Sequence, residues 1–327
     1  ILFTLPVGTL FYFQGTLALS TLIFALLISI SLGSPLLKMV VFFPLIPRLS
    51  YQITELEETF AGEELQITDK SLKPENYGIE FENVRFAYDK TEVIKDVSFK
   101  VAENSVTALV GESGSGKSTL AKLLVHFWDL KDGKISIGGV NINGISFGDL
   151  MDLISYVSQD NFLFNESIME NIRIGKPTAS DDEVIAASKL AQCHDFIVKL
   201  DQGYDTNVGD DGNKLSGGEK QRITIARAIL KDAPIIILDE ATTFTDSENE
   251  DKIQEAINSL VGKKTLIVIA HRLSSIVESD NIILMDDGKL LMQGTHEDLL
   301  ENSNKYKLLW EAHVESLNWD INIKEEK

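Results

Sequence analysis

The chain has 327 residues, room for one large domain or two ordinary ones, and carries 30 Lys and Arg against 50 Asp and Glu, a formal charge of -20. Holding nucleic acid requires clustered cations on phosphates, so this balance makes the chain a poor candidate for that task, and no nucleic acid partner is expected. The single cysteine, Cys193, excludes an intrachain disulfide and a cysteine-rich zinc site. Hydrophobic residues make up 44% of the chain, but they are unevenly spread: no charged residue precedes Lys38.

The chain opens on Ile1, inside an apolar run and without a methionine, as expected of a fragment of something longer. A secretory signal would show basic residues, a short apolar stretch and a small-residue cleavage site, and this run has none of them. It divides at Gln14-Gly15. Residues 1–13 read as the end of one membrane helix, and 16–32 as a run close to the roughly 20 residues that cross about 30 Å of hydrocarbon. The competing reading, a buried helix of a soluble core, rarely runs this far without a charge. Pro35, Pro44 and Pro47 follow, and membrane helices tolerate proline because neighbours satisfy the freed carbonyls. Lys38 and Arg48 mark the far side as cytoplasmic.

Between Ser50 and Tyr77, Glu55, Glu57, Glu58, Glu63 and Glu64 interleave with Ile53, Leu56, Phe60 and Leu65 at helical spacing, so the membrane helix is expected to continue into water. Lys73-Pro74 through Gly78 reads as a linker. The expected organisation is therefore a membrane part over 1–50, a cytoplasmic extension and linker over 51–78, an α/β domain over 79–315 and a charged tail over 316–327.

From Ile79 short apolar strands alternate with helical segments, the pattern of an α/β domain with a mostly parallel sheet. The strand Val106–Val110 runs into Gly111-Glu112-Ser113-Gly114-Ser115-Gly116-Lys117-Ser118-Thr119, a full match to G-x-x-x-x-G-K-[ST] with a helix expected over 120–127. Glycines at those offsets let backbone N–H groups curl around phosphate oxygens. Lys117 supplies a charge for the β- and γ-phosphates, and Ser118 offers a hydroxyl to Mg²⁺. A flexible surface turn would not need this strand and helix on either side.

Ile235–Glu240 is an apolar strand ending in two carboxylates. Ligands of open α/β sheets sit beyond the carboxyl ends of the strands, so Asp239 and Glu240 are expected beside the phosphate loop. Asp239 suits Mg²⁺. Glu240 suits the general base for the attacking water. The strand Thr265–Ala270 delivers His271 to the same rim, and Gln159, after Ile154–Val157, is placed to reach the Mg²⁺ or the water. Leu215-Ser216-Gly217-Gly218-Glu219 opens an amphipathic helix with Ser216 as N-cap, a second anion site or an ordinary capped helix. Cys193-His194 reads as packing, and His126, His296 and His313 show no partner set. Asp286-Asp287-Gly288-Lys289 reads as a hairpin turn.

Together these residues resemble the ATP-binding cassette (ABC) transporter family, in its exporter-fold type with fused membrane and nucleotide-binding domains. Phe86-Ala87-Tyr88 is similar to the loop whose tyrosine stacks on adenine. Residues 111–119 resemble the Walker A loop, Gln159 the Q-loop and Leu215–Glu219 the signature motif. Ile235–Glu240 resembles Walker B, Asp246 the end of the D-loop, His271 the switch histidine and Val208–Gly212 the X-loop. The resemblance spans about 79–310, while 15–46 resembles the last membrane helix of that fold, entered from outside. Two departures stand out. Glu219 replaces the more usual Gln, and Thr243-Phe244-Thr245-Asp246 replaces Ser-Ala-Leu-Asp.

The resemblance implies an α/β P-loop NTPase cassette preceded by all-α transmembrane helices, with ATP and Mg²⁺ as cofactors. Catalysis would fall to Glu240, His271 and Gln159. The nucleotide would be held by Tyr88, Gly111, Ser113, Gly114, Ser115, Gly116, Lys117, Ser118 and Thr119, and Mg²⁺ by Ser118, Gln159 and Asp239. Ser216, Gly217, Gly218 and Glu219 would complete the opposing subunit's site. It further implies an ATPase of the cell membrane, multi-pass, with a cytoplasmic cassette, four upstream membrane helices, and a second half-transporter as homodimer or heterodimer partner among the membrane lipids. ATP hydrolysis would move a solute by alternating access, with efflux the favoured direction. A siderophore-type importer of the same fold is the alternative. Two further readings are a soluble ABC ATPase acting on DNA or ribosomes, disfavoured by the charge of -20 and the apolar start, and a P-loop kinase, disfavoured by Ser216-Gly217-Gly218 and His271.

Overall fold

The computed structural model describes residues 3–60, 65, 67–69, 71–239, 247–261, 263–270 and 273–325. The chain divides into two compact units, 1–64 and 65–327.

The first unit is helical. Helix α1 (Thr4–Phe13) ends at Gln14-Gly15, where Gly15 takes φ +70°, and α2 (Leu19–Phe42) and α3 (Leu45–Phe60) follow. Small residues let α1 and α2 meet. A Cβ on Gly8 would lie 2.5 Å from Leu22 Cδ1, and Thr4 Oγ1 lies 2.9 Å from Ser29 Oγ. Leu22 is buried by this contact, but Phe24, Leu27, Ile30, Val40 and Phe43 stay exposed. Water does not tolerate such an apolar surface, and a bilayer does. The stretch 19–57 is long and apolar enough to cross a membrane. Helix α2 passes through Pro35 and runs ten residues beyond the expected end of the apolar run at Leu32. With α3 it carries Glu55 and Glu57 on exposed positions.

The second unit begins with residues strapped onto the α/β domain. Leu72 N donates to Gly144 O (3.0 Å), Ser146 N to Ser71 Oγ (3.3 Å) and Tyr77 N to Glu103 Oε1 (3.0 Å). Strands β1 (Ile79–Tyr88) and β2 (Thr91–Val101) form an antiparallel hairpin, with β3 (Val106–Val110) and α4 (Lys117–Leu124) next. Strands β4 (Asp132–Ile137) and β5 (Val140–Asn141) join the hairpin in a four-stranded antiparallel sheet of order β2-β1-β4-β5. The sequence reading does not anticipate this second sheet.

Helix α5 (Phe147–Leu153) and strand β6 (Ile154–Val157) lead to the helical layer α6 (Ile168–Arg173), α7 (Asp181–Leu190), α8 (His194–Ile197) and α9 (Gly217–Lys231). Then come β7 (Ile235–Asp239), α10 (Ser247–Asn258), β8 (Thr265–Ile269), β9 (Asn281–Asp286), β10 (Lys289–Gly294), α11 (His296–Asn302) and α12 (Asn304–Glu325). The larger sheet has the order β10-β9-β3-β8-β7-β6, parallel throughout except for β10. Strands β3, β7 and β8 are almost wholly buried, which is why they read as unbroken apolar runs rather than alternations.

Three cores position the elements. Helix α4 lies between the two sheets, its Leu120, Leu123 and Leu124 packed with Phe81, Phe99, Ile94, Ile135, Ile237 and Ile267. Phe81 and Phe99 face each other in register, rings stacked at 4.3 Å. Helices α6, α7 and α9 pack on the other side of β6 and β7 through Ile172, Val184, Ile223, Ala226 and Leu238. A third core sets α11 and α12 against β3 and β9 through Leu299, Tyr306, Val110 and Leu284.

Candidate functional site

Four parallel strands, in the order β3-β8-β7-β6, end on one rim. From β3 the chain turns through Gly111, Gly114 and Gly116, all at positive φ, into α4. Gly111 has a second constraint: a Cβ would sit 2.1 Å from the Met285 carbonyl oxygen of β9, so no other side chain fits there. The turn after β9 holds the same loop, because Gly288 N donates to Ser115 O (3.2 Å). Gly116 occupies the N-cap of α4 with no side chain to cap the helix, which leaves its first N–H groups facing the loop's concavity.

Lys117 is 5% exposed, although lysine is almost never buried without partners. Its Nζ curls back into the loop and donates to Gly111 O and Glu112 O, both at 2.9 Å, with Ser115 Oγ at 3.5 Å. The ammonium is thus stored inside the cradle. Ser115 and Thr119 are buried, while Ser113 and Gly114 stay exposed on the loop's outer side.

Ser118 leaves α4 toward β7 and donates to Asp239 Oδ1 (2.8 Å), while the hydroxyl of Tyr156 on β6 donates to Asp239 Oδ2 (2.7 Å). Asp239 is 3% exposed, so both its oxygens need partners. Burial first, then the charge of Asp239 and the hydrogen bond to it, pushes the Tyr156 hydroxyl far above its ordinary value and keeps it a donor. A serine hydroxyl against a carboxylate is a set of hard oxygen donors. It fits Mg²⁺, which takes one or two protein oxygens and completes its shell with water and phosphate. Gln159, three residues beyond Tyr156, is exposed past the end of β6. Glu240, Asp246 and His271 lie outside the described residues.

Tyr88 closes β1. Its ring meets Trp128 edge-on at 5.4 Å and Phe86 at 4.8 Å, forming an aromatic wall on the segment that follows α4. Sequence reasoning missed Trp128 and Tyr156. The signal for Trp128 was the Phe127-Trp128 pair just past the phosphate helix, and Tyr156 had only its place on the strand before Gln159.

Ser216–Glu219 forms a separate centre. Ser216 Oγ accepts from Glu219 N (3.4 Å), and Glu219 Oε2 accepts from Ser216 N (2.8 Å), a complete capping box at the start of α9. That explains a carboxylate at this position: it serves the N-terminus of its own helix. Helix α9 packs in the helical core and α4 in the inter-sheet core. The histidines without recognisable partners have local ones. His126 Nε2 lies 2.8 Å from Asp129 Oδ1, His296 Nδ1 lies 2.8 Å from Tyr306 Oη, and His313 Nε2 accepts from Ser274 N at 3.2 Å.

The ABC transporter family model matches residues 94–243. A protein of Bacillus subtilis (strain 168), YgaD, named for multidrug export, ATP binding and permease function, is 46% identical over 243 residues, covering 74% of this chain and 42% of that protein. A similarly named protein of Staphylococcus aureus (strain NCTC 8325 / PS 47) is 45% identical over 234 residues, 71% of this chain and 40% of its own length. The matched stretch spans less than half the length of these curated relatives. The structure of a bacterial Atm1-family ABC exporter with ATP bound superposes with a TM-score of 0.74 at 39% identity, covering 91% of this chain and 53% of that one. Phosphate loop, signature helix and two-sheet architecture agree with these likenesses: the chain belongs to the ABC transporter family and carries its ATP-binding domain.

Proposed function

We propose that this chain is part of an ATP-hydrolysing half-transporter that moves a solute out across the cell membrane by alternating access. The observation that carries the chemistry is the meeting of Ser118 and Asp239 at 2.8 Å beside the buried Lys117. Export is supported by the names of the relatives, and a membrane setting by the exposed apolar stretch 19–57. In this reading the membrane part is multi-pass and the cassette is cytoplasmic, with 1–50, 51–78, 79–315 and 316–327 as membrane part, extension, cassette and tail.

Each residue has a defined task. Lys117 exchanges the carbonyls of Gly111 and Glu112 for phosphate oxygens, with the loop amides of residues 113–119 around them. Tyr88 offers its ring face to adenine. Ser118, Asp239 and Gln159 hold Mg²⁺, which supplies positive charge against the phosphate oxygens. Glu240 takes the proton of the attacking water, and His271 and Gln159 orient that water and the phosphate. Ser216 and Gly217 are exposed at the start of α9, a helix whose later residues pack in a different core from α4, and in this reading Ser216, Gly217, Gly218 and Glu219 complete the partner chain's site.

The test is nucleotide binding and turnover by the full chain in lipid nanodiscs. Lys117→Ala should weaken fluorescent-ATP binding by a charge-assisted hydrogen bond, roughly 1.5–3 kcal/mol. Glu240→Gln should keep binding and lower hydrolysis by about 10²–10⁴-fold. Unchanged affinity in the first variant, with full turnover in the second, would overturn the reading.

A further inference from the structure

Asp239 stands at the end of β7 with a different partner on each carboxylate oxygen. The two partners differ in what they are free to do. Ser118 is the residue expected to turn a lone pair toward Mg²⁺, and a serine hydroxyl has one proton and rotates freely. When it turns, Oδ1 loses its present donor and becomes available to the cation's water shell. Tyr156 has no such second duty. Its backbone pairs with Ile237, so its side chain extends along β7 and reaches Asp239 diagonally, two residues on. Its ring meets Phe127 edge-on at 6.1 Å.

Phe127 lies three residues past the end of α4, the helix that carries Ser118, and its N–H donates back to Lys122 O at 3.0 Å. Helix α4 and the turn after it therefore touch this arrangement twice, through Ser118 at the carboxylate and through Phe127 at the tyrosine ring. The carboxylate itself has a soft torsion, since terminal sp³–sp² rotations are broad. Without a bond on Oδ2 it would be free to swing once Ser118 lets go.

We propose that Tyr156 is a positioning residue for the metal site: its hydroxyl fixes Asp239 through Oδ2 so that Oδ1 keeps facing Ser118 and the cation. The inference rests on the reading of Asp239 as the carboxylate that faces Mg²⁺. Tyr156 touches neither nucleotide nor metal in this role, and it acts only through Asp239. Because Tyr156 also stands three residues before Gln159, the same bond ties the strand leading to Gln159 to the end of β7.

The experiment titrates Mg²⁺ into the full chain in nanodiscs and follows the affinity for a fluorescent ATP analogue, with a parallel measurement in EDTA. Tyr156→Phe removes one oxygen and keeps the ring against Phe127. The Mg²⁺ concentration for half-maximal tightening should rise about tenfold, as expected for a lost hydrogen bond to a charged group, while the EDTA affinity stays within about twofold. Phe127→Leu keeps the hydroxyl and loosens the ring, so it should shift the Mg²⁺ requirement in the same direction by less. Equal Mg²⁺ dependence of Tyr156→Phe and wild type overturns the proposal. So does equal weakening with and without Mg²⁺, which would make Tyr156 a purely structural residue. A wild-type chain that binds the nucleotide with no Mg²⁺ dependence at all overturns the metal-site reading itself, and the inference with it.

Discussion

Gly288 shows how a residue remote in sequence from the phosphate loop sets its shape. It takes φ +75°, and a Cβ there would stand 2.2 Å from the Val93 carbonyl oxygen. Its N–H donates to Ser115 O at 3.2 Å and its carbonyl accepts from Lys95 N at 2.8 Å. The neighbouring Asp287 accepts from Lys95 Nζ at 2.8 Å, a bond that holds the Asp287 carboxyl below its usual range. Gly288→Ala should therefore cost more than the roughly 1–2 kcal/mol of a left-handed non-glycine residue, since a backbone carbonyl must also move. It should weaken ATP binding too, because the carbonyl of Ser115 loses its donor. Gly139 is the internal comparison, with φ +81° but no atom within 4 Å of an added Cβ, so Gly139→Ala should cost only the conformational share. Thermal unfolding and nucleotide titration of both variants check this. Equal destabilisation would show that the contact with Val93 is irrelevant.

At the scale of elements, α9 separates a structural duty from a proposed functional one. Ser216 and Glu219 satisfy each other's backbone donors, so Ser216→Ala should lower stability by about 1 kcal/mol. Glu219→Gln keeps an acceptor at the same place and gives up only the charge at the helix start, roughly 0.3–1 kcal/mol at most. Calorimetric melting should rank the serine change as the more damaging, and the opposite order would contradict the capping assignment. This cap was legible in the sequence, as were the phosphate loop, the strand ending at Asp239 and the turn at Asp287-Gly288. Each is written in residues only a few positions apart, where backbone geometry dictates the residue type. The antiparallel sheet was not legible, because β1 pairs with β4 some fifty residues later and its strands show bulges that break the alternation. Helix α2 ran past Pro35 because hydropathy alone does not mark where a helix stops. Tyr156 was invisible for the first of these reasons: its partner Asp239 is brought to it by sheet register.

For the whole molecule the decisive question is which side of the bilayer each end faces. Helix α2 has 24 residues, about 36 Å at 1.5 Å per residue, enough for roughly 30 Å of hydrocarbon. Gln14 precedes it, and Lys38 and Arg48 lie toward and beyond its other end. Positive residues favour the cytoplasmic side, so Gln14 should face out and the cassette should face in. Native Cys193 cannot report on this. It is fully buried, and burial pushes its thiol up to about 12, so almost no thiolate is present at neutral pH. That silence is useful, because a cysteine introduced elsewhere is then the only reactive one. Gln14→Cys, on an exposed position, should react with a membrane-impermeant maleimide in intact cells. Lys199→Cys, exposed on the cassette, should react only after the membrane is permeabilised. Labelling of Lys199→Cys in intact cells, with Gln14→Cys protected until permeabilisation, would invert the topology and place the ATP site on the wrong side of the membrane for cytoplasmic ATP.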